Sequence, residues 1–354
     1  MARQFPWVNL RTKKWRFRDG YSFRVGSRTL RESLILGLLV CLVVVILGSA
    51  CTPHASTQIN GAIASADCRV IRHAKGETCV PNNPQRIVVL GGLDDALSLG
   101  LKPIGSDGLN AEGIHLSGML GGIEDVGGSG APSIEKILAL QPDFIIGGDY
   151  AAVDYGTLSK IAPTVLITFE HSGQWKEFFM RFAEVLGQTA AAERVMGSYN
   201  ARIEEFQAQM GDRAANMEVS IVRVYPTHVN LYLKDSFCGT VVADAGLSRP
   251  PAQNLTASEA SALFGNNIQY TISREKLSDA DGDVIFLWSY GHQLEIAQQA
   301  KAEKAKLMAD PLWSTLTAVQ KGQVYEVPSY WIGDGPIAAN AILDDLFTYL
   351  VEPS

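Results

Sequence analysis

The chain has 354 residues, 47% of them hydrophobic, with 30 Lys/Arg, 37 Asp/Glu and a formal net charge of −7. Residues 1–50 hold nine basic and two acidic side chains, which leaves 21 basic and 35 acidic groups beyond residue 50. That acidic balance excludes a general nucleic-acid surface, and any anionic ligand must be captured by a local Arg rather than by the overall field.

The start of the chain reads as an export signal. A basic segment precedes the apolar run Ser33–Ala50, which ends in the small residues Gly48, Ser49 and Ala50, directly before Cys51. A Cys at that place marks a lipoprotein signal, in which Cys51 becomes a lipid-bearing N-terminus. Gly48 departs from the Leu favoured three places before such a Cys, and an uncleaved anchor or a soluble export signal are the alternatives. All three place residues 51–354 outside the cytoplasm, as a periplasmic protein. Residues 51–67 carry no periodic pattern and read as a flexible tether. Cys68 and Cys79 flank a short segment and are expected to form a disulfide in an oxidising compartment, with two unpaired thiols as the alternative. Cys238, between Phe237 and Gly239, reads as a buried small residue.

From Pro84 strands and helices alternate. Arg86–Leu90, Leu101–Gly105, Asp143–Gly147 and Thr164–Thr168 read as strands, with helices over Asp94–Leu99 and Pro132–Leu140. From Gly173 to Met210 the apolar residues recur every three to four places, which predicts a spine helix over about 173–212, with Gly187 and Gly197 as candidate breaks. A second α/β series follows. Its strands are expected at Val219–Tyr225, Val229–Leu233, Asp283–Trp288 and Gln323–Val327. Its helices are expected at Ser236–Ala245, Lys301–Met308, Pro311–Val319 and Ala338–Leu350. The prediction is an α/β fold of two lobes, residues 68–172 and 213–354. Each is a mostly parallel sheet flanked by helices, and one long helix joins them.

Ordered blocks carry a family resemblance: Asn83–Leu90, Ser133–Ile146, Ile161–Val165, Asp310–Trp313, Gly322–Tyr325 and Val327–Gly333. Over about residues 68–350 the chain resembles the substrate-binding proteins of ABC importers for ferric siderophores and cobalamin. It most resembles the cyanobacterial iron-siderophore-binding lipoproteins. The resemblance implies a ligand held between the lobes, an ABC permease as partner, a monomer, and no cofactor, the siderophore supplying the ligands of the iron. It also implies one permease-docking Glu per lobe. The matching positions are Glu135 in Ser133–Lys136 and Glu275 in Ser273–Lys276, which repeat the pattern Ser-x-Glu-Lys. Helix capping alone also accounts for that pattern.

Ligands of α/β sheets gather beyond the carboxyl ends of strands. Aromatic rings and Arg suit a bulky anionic chelate there. The candidate contacts are Tyr150, Arg223, Tyr225, Trp288, Tyr290 and Trp331, the last also through the resemblance. For Trp288 a plain core role is the alternative, and for Tyr225 the packing of a turn. Bare-metal capture competes, but the six His (54, 73, 115, 171, 228 and 292) are scattered without ligand spacing. Cobalamin, haem and an anchored sensor stay open. An enzyme is not expected: Gly127–Gly130 lacks a Gly-Lys-Ser/Thr ending and no Gly-x-Ser-x-Gly elbow occurs.

Overall fold

The computed structural model describes residues 67–109, 115–128, 130–149, 154–291 and 293–351, all within one compact unit, Ile63–Ser354. The export signal, Cys51, nearly all of the tether and Tyr150 lie outside the described residues. Among the described residues no helix is long and apolar enough to cross a membrane.

The first described element is a hairpin of β1 (Cys68–His73) and β2 (Gly76–Pro81). Cys68 and Cys79 are joined in a disulfide across it, with Cα atoms 5.5 Å apart. The hairpin lies on the N-terminal sheet: Thr78 Oγ1 donates to the Thr164 carbonyl at 2.9 Å, and Val80 is fully buried.

The N-terminal sheet is built from β3 (Ile87–Leu90), β4 (Gly105–Ser106), β5 (Glu124–Asp125), β8 (Phe144–Gly148) and β9 (Thr164–Ile167). Its order is β5-β4-β3-β8-β9 and every pairing is parallel. The small hairpin of β6 (Gly127–Gly128) and β7 (Ala131–Pro132) interrupts the series. Side chains alternate across the sheet. Val88, Leu90 and Ile145 pack with Ile137 and Leu158 of the helices Ile134–Leu140 and Tyr155–Ile161. Val89, Phe144, Ile146 and Val165 pack with Phe178, Phe179 and Phe182.

The C-terminal sheet has β10 (Val219–Val224), β11 (Val229–Tyr232), β12 (Gln269–Ile272), β13 (Val284–Ser289) and β14 (Val324–Glu326). Its order is β12-β11-β10-β13-β14. β10, β13 and β14 run parallel, and β11 runs antiparallel to both of its neighbours. β10 is buried along its whole length, as expected of a central strand covered on both faces.

The expected single spine is two helices, Trp175–Leu186 and Thr189–Met210. Gly187 adopts φ 71°, and the amides of Gly187 and Gln188 turn back to the carbonyls of Glu184 and Ala183 at 3.0 and 2.7 Å. A left-handed residue at that place closes a helix, and glycine adopts it without the clash of a Cβ. The break divides the labour. Most of the first helix packs on the N-terminal sheet, whereas Tyr199, Ile203, Phe206 and Met210 of the second pack under the C-terminal one. Trp175, at the first helical position, belongs to the second core: its indole donates to Thr240 Oγ1 at 3.0 Å and meets Tyr199 and Phe237 edge-on.

Further elements differ from expectation: the helix expected at Lys301–Met308 begins at Leu294, and the strand expected at Leu101–Gly105 is Gly105–Ser106. Residues 311–319 form a short 3-10 turn, Trp313–Thr315, and a four-residue helix, Thr317–Gln320, because the Asp281 carboxylate takes the Thr317 and Ala318 amides and starts a new helix there. The closing helix begins earlier than expected, at Pro336, whose preset φ suits a first helical position.

Candidate functional site

β10 alternates Val219, Ile221 and Arg223 on one face, so a guanidinium stands where the pattern calls for an apolar side chain. Arg223 is 5% exposed. Its Nη1 donates to Tyr232 Oη on β11 at 2.9 Å. Its guanidinium carbon lies 4.1 Å from the Tyr225 ring centre and 6.0 Å from that of Tyr290. Among the described residues, Nε of Arg223 has no hydrogen-bond partner and no carboxylate pairs with the side chain. A buried cation in that state is costly unless an anion reaches it.

The neighbours hold this cation in place. Tyr225 opens the tight turn into β11, where its amide donates to the His228 carbonyl at 2.9 Å. Its hydroxyl donates to Gln269 Oε1 at 3.2 Å, and its ring stacks on that of His228 at 4.4 Å. Burial, followed by the Arg223 charge, holds the His228 pKa below its usual value, so the imidazole is neutral beside the guanidinium. Burial drives the Tyr232 hydroxyl well above the usual tyrosine range, against the opposing pull of Arg223. It therefore stays protonated, with its oxygen available to Arg223.

The structure brings Arg223, Tyr225 and Tyr290 together and places the two tryptophans behind them. Trp288 sits beside Arg223 in the parallel register of β10 and β13, but it is 1% exposed and packs against Tyr232. Trp331 is 0% exposed: it stacks on Phe286 at 4.5 Å and donates its indole N–H to Asp345 at 2.7 Å. In this structure both rings are buried, and the Trp288 indole N–H has no hydrogen-bond partner among the described residues.

On the N-terminal lobe, the carboxyl ends of the strands are drawn together by Asp107. It accepts from the amides of Gly91 at 2.7 Å and Gly130 at 3.0 Å, and burial raises its pKa. Phe169, at the end of β9, meets Phe178 edge-on.

Glu135 and Glu275 are both exposed. Ser133 caps the helix Ile134–Leu140 by accepting from the Lys136 amide, and its hydroxyl donates to Glu135 Oε2 at 3.0 Å. The backbone amide of Glu135 and the Ser133 hydroxyl lower the pKa of this carboxyl; the amide of Glu275 and the Ser273 hydroxyl do the same at the second site. The repeated Ser-x-Glu-Lys pattern thus gives each Glu the same two hydrogen-bond partners, although the first segment opens an α-helix capped by the Ser133 side chain and the second opens a 3-10 helix, Arg274–Ala280, with no side-chain cap.

Sequence reasoning missed Tyr232, His228 and Asp94. The first two were legible as polar aromatics flanking a hairpin turn beside Arg223. Nothing local marks Asp94, whose partners lie at the far end of the chain: its carboxylate accepts from the amides of Ile337 at 2.8 Å and Ala338 at 2.9 Å. Among the described residues, no three His, Cys, Asp or Glu are grouped to hold a metal ion.

Comparison with known proteins agrees with this architecture. The chain is 31% identical over 325 residues to the probable siderophore-binding lipoprotein YfiY of Bacillus subtilis, covering 89% of this chain and 97% of that one. It is 26% identical over 307 residues to the Fe(3+)-citrate-binding protein YfmC of the same organism, covering 84% and 90%. The crystal structure of Staphylococcus aureus SirA complexed with staphyloferrin B superposes with a TM-score of 0.69 at 25% identity, over 80% of this chain and 98% of that one. A family model described as periplasmic binding protein matches residues 94–331, from the helix after β3 to Trp331, and the chain therefore belongs to the periplasmic binding protein family.

Proposed function

We propose that this protein captures a ferric siderophore between its two lobes and delivers it to an ABC permease for iron uptake. The carrying observation is Arg223: a buried guanidinium at a strand end, flanked by Tyr225 and Tyr290, with Nε unpartnered among the described residues. Such a group holds the carboxylate or chelate oxygens of an anionic ligand, while the tyrosine rings give contact area at small entropic cost. Tyr225, Tyr290 and Tyr150, with the buried Trp288 and Trp331 behind them, complete the set of proposed contacts. The siderophore itself coordinates the iron. The names of the two Bacillus relatives, one siderophore-binding and one Fe(3+)-citrate-binding, support this cargo class.

The remaining assignments rest on the sequence. Export and lipidation at Cys51 tether the protein outside the cytoplasm, in keeping with the lipoprotein named among its relatives. Residues 68–172 and 213–354 are the lobes, and the paired helices between them limit closure. A monomer meets the permease through Glu135 and Glu275. Binding and release without chemical change is the whole of the proposed activity.

The test is a titration of the full chain in detergent with ferric citrate, ferric hydroxamates, ferric catecholates, cobalamin, haem and free ferric iron, followed by tryptophan fluorescence. The expected result is tight quenching by one ferric siderophore and not by free iron. Arg223→Ala should weaken that binding about 10- to 100-fold, the worth of a hydrogen bond to a charged group. Binding of cobalamin, haem or bare iron alone would overturn the cargo, and an unchanged affinity in Arg223→Ala would remove the arginine from the site.

A further inference from the structure

The helix Pro336–Leu346 lies under the C-terminal sheet, with Ala338, Ala339, Ile342, Leu343 and Leu346 in that core. Its first amides need acceptors, as at every helix start. The residue before it is Gly335, which has no side chain to offer. The acceptor comes instead from the other lobe. Asp94, in the first turn of the helix Leu93–Ser98 after β3, takes the Ile337 and Ala338 amides on its two oxygens at 2.8 and 2.9 Å. Asp94 is 3% exposed, and Ser98 Oγ donates to the same carboxylate at 3.1 Å. The absence of a Cβ at Gly335 makes this approach possible, because a Cβ there would lie 2.5 Å from the Asp94 carboxylate.

A second contact reinforces the first. His115 Nε2 lies 3.6 Å from Asp94 Oδ2, and the His115 ring meets Tyr330 edge-on at 5.7 Å. Asp94 and His115, both from the N-terminal lobe, thereby grip the stretch Tyr330–Ala338 of the C-terminal lobe at two points. The seam is separate in sequence from the spine, whose own ties run from Ser172 to the Phe237 amide and from Trp175 to Thr240. Two lobes joined only by the spine would share one rigid link. A buried carboxylate capping a helix of the opposite lobe adds a second, and two links remove the rotation that one permits.

We propose that Asp94 is a positioning residue that latches the lobes together, capping the helix Pro336–Leu346 from the opposite lobe and thereby setting the width of the space between them. A carboxylate is suited to this role: it accepts two amides at once and its charge complements the helix start.

The experiment uses the full chain in detergent without added ligand. Spin labels placed by Ser159→Cys and Ser261→Cys, one on an exposed helix position of each lobe, report the interlobe distance distribution by pulsed electron resonance. Asp94→Ala is expected to broaden that distribution and shift its mean outward. It should also speed hydrogen exchange at the Ile337 and Ala338 amides about tenfold or more, the worth of a lost cap. Asp94→Asn, which keeps one carbonyl acceptor, should fall between. If Asp94→Ala fails to fold, Gly335→Ala displaces the carboxylate while leaving Asp94 in place, and the same two readouts apply. A wild-type distance distribution in a folded variant that has lost the amide protection would overturn the latch, as would unchanged exchange at both amides. Neither readout involves a ligand, so the result stands whichever cargo the protein binds.

Discussion

Asp334 adjoins the Asp94 latch, and its carboxyl is pushed up to about 6 by burial, then by the charges of Asp94 and Asp107, with His115 pulling the other way. A carboxyl whose pKa is higher folded than unfolded binds its proton more tightly in the folded state. Its contribution is fully present below the unfolded value and is lost as pH rises through about 6. At neutral pH the ionised Asp334 therefore opposes folding by about 2–3 kcal/mol. Asp334→Asn should raise stability by about that much at pH 7.5 and leave it nearly unchanged at pH 4. Urea unfolding at the two pH values checks this, and an equal effect at both would sink the electrostatic explanation. The residue scale is also where sequence reading was most uneven. Arg223 was legible because a cation breaks an apolar strand. The burial of Trp331 was not legible, because an aromatic in a loop reads the same in sequence whether its ring turns outward or into the core. Asp94 was invisible because its two partners are more than 240 residues away.

At the level of elements, strands were read more reliably than helix ends. Apolar runs of four to six residues specify a covered parallel sheet, and the structure builds sheets at β3, β8, β9, β10 and β13. The spine shows what periodicity leaves out. Gly187 and Gly197 were equal candidates for a break, yet Gly197 lies inside a continuous helix and only Gly187 takes the left-handed conformation. The difference comes from the disulfide-closed hairpin. Arg69 on β1 donates to the carbonyls of Glu184 at 3.3 Å and Val185 at 2.9 Å, which satisfies the end of the first helix where it stops. Gly187→Ala would force an L-residue into that conformation and bring its Cβ 3.3 Å from the Arg69 guanidinium. It should lower stability by about 1–2 kcal/mol, read as a fall in the urea midpoint at constant slope. Gly197→Ala should not lower it, because its Cβ meets open space and alanine favours the helix. Equal losses at the two sites would refute the assignment of the break.

On the scale of the whole molecule, the two glutamates proposed to dock the permease hold comparable places in the two halves. Glu135 follows the edge strand β5: the Ser133 amide donates to the Val126 carbonyl, and Lys136 Nζ reaches the Asp125 carbonyl at 2.8 Å. Glu275 follows β12, the edge strand of the other sheet, which runs in the same direction as β10 because two antiparallel pairings separate them. Each glutamate thus lies just beyond the carboxyl end of an edge strand, on the side of its sheet where ligands gather. A local helix-start role stabilises each segment but gives no reason for the same placement in both halves. The proposed docking to cationic groups of a permease does. Exposed charges at a rim steer and orient an encounter and leave the ligand pocket unchanged. Glu135→Lys with Glu275→Lys should therefore abolish ligand import in reconstituted vesicles while changing ligand affinity less than twofold. Each single reversal should act in part, and raising the salt should weaken import by the wild type through screening of the same pair. Import that survives the double reversal would reduce both glutamates to helix caps, and a parallel loss of ligand affinity would place them in the binding site.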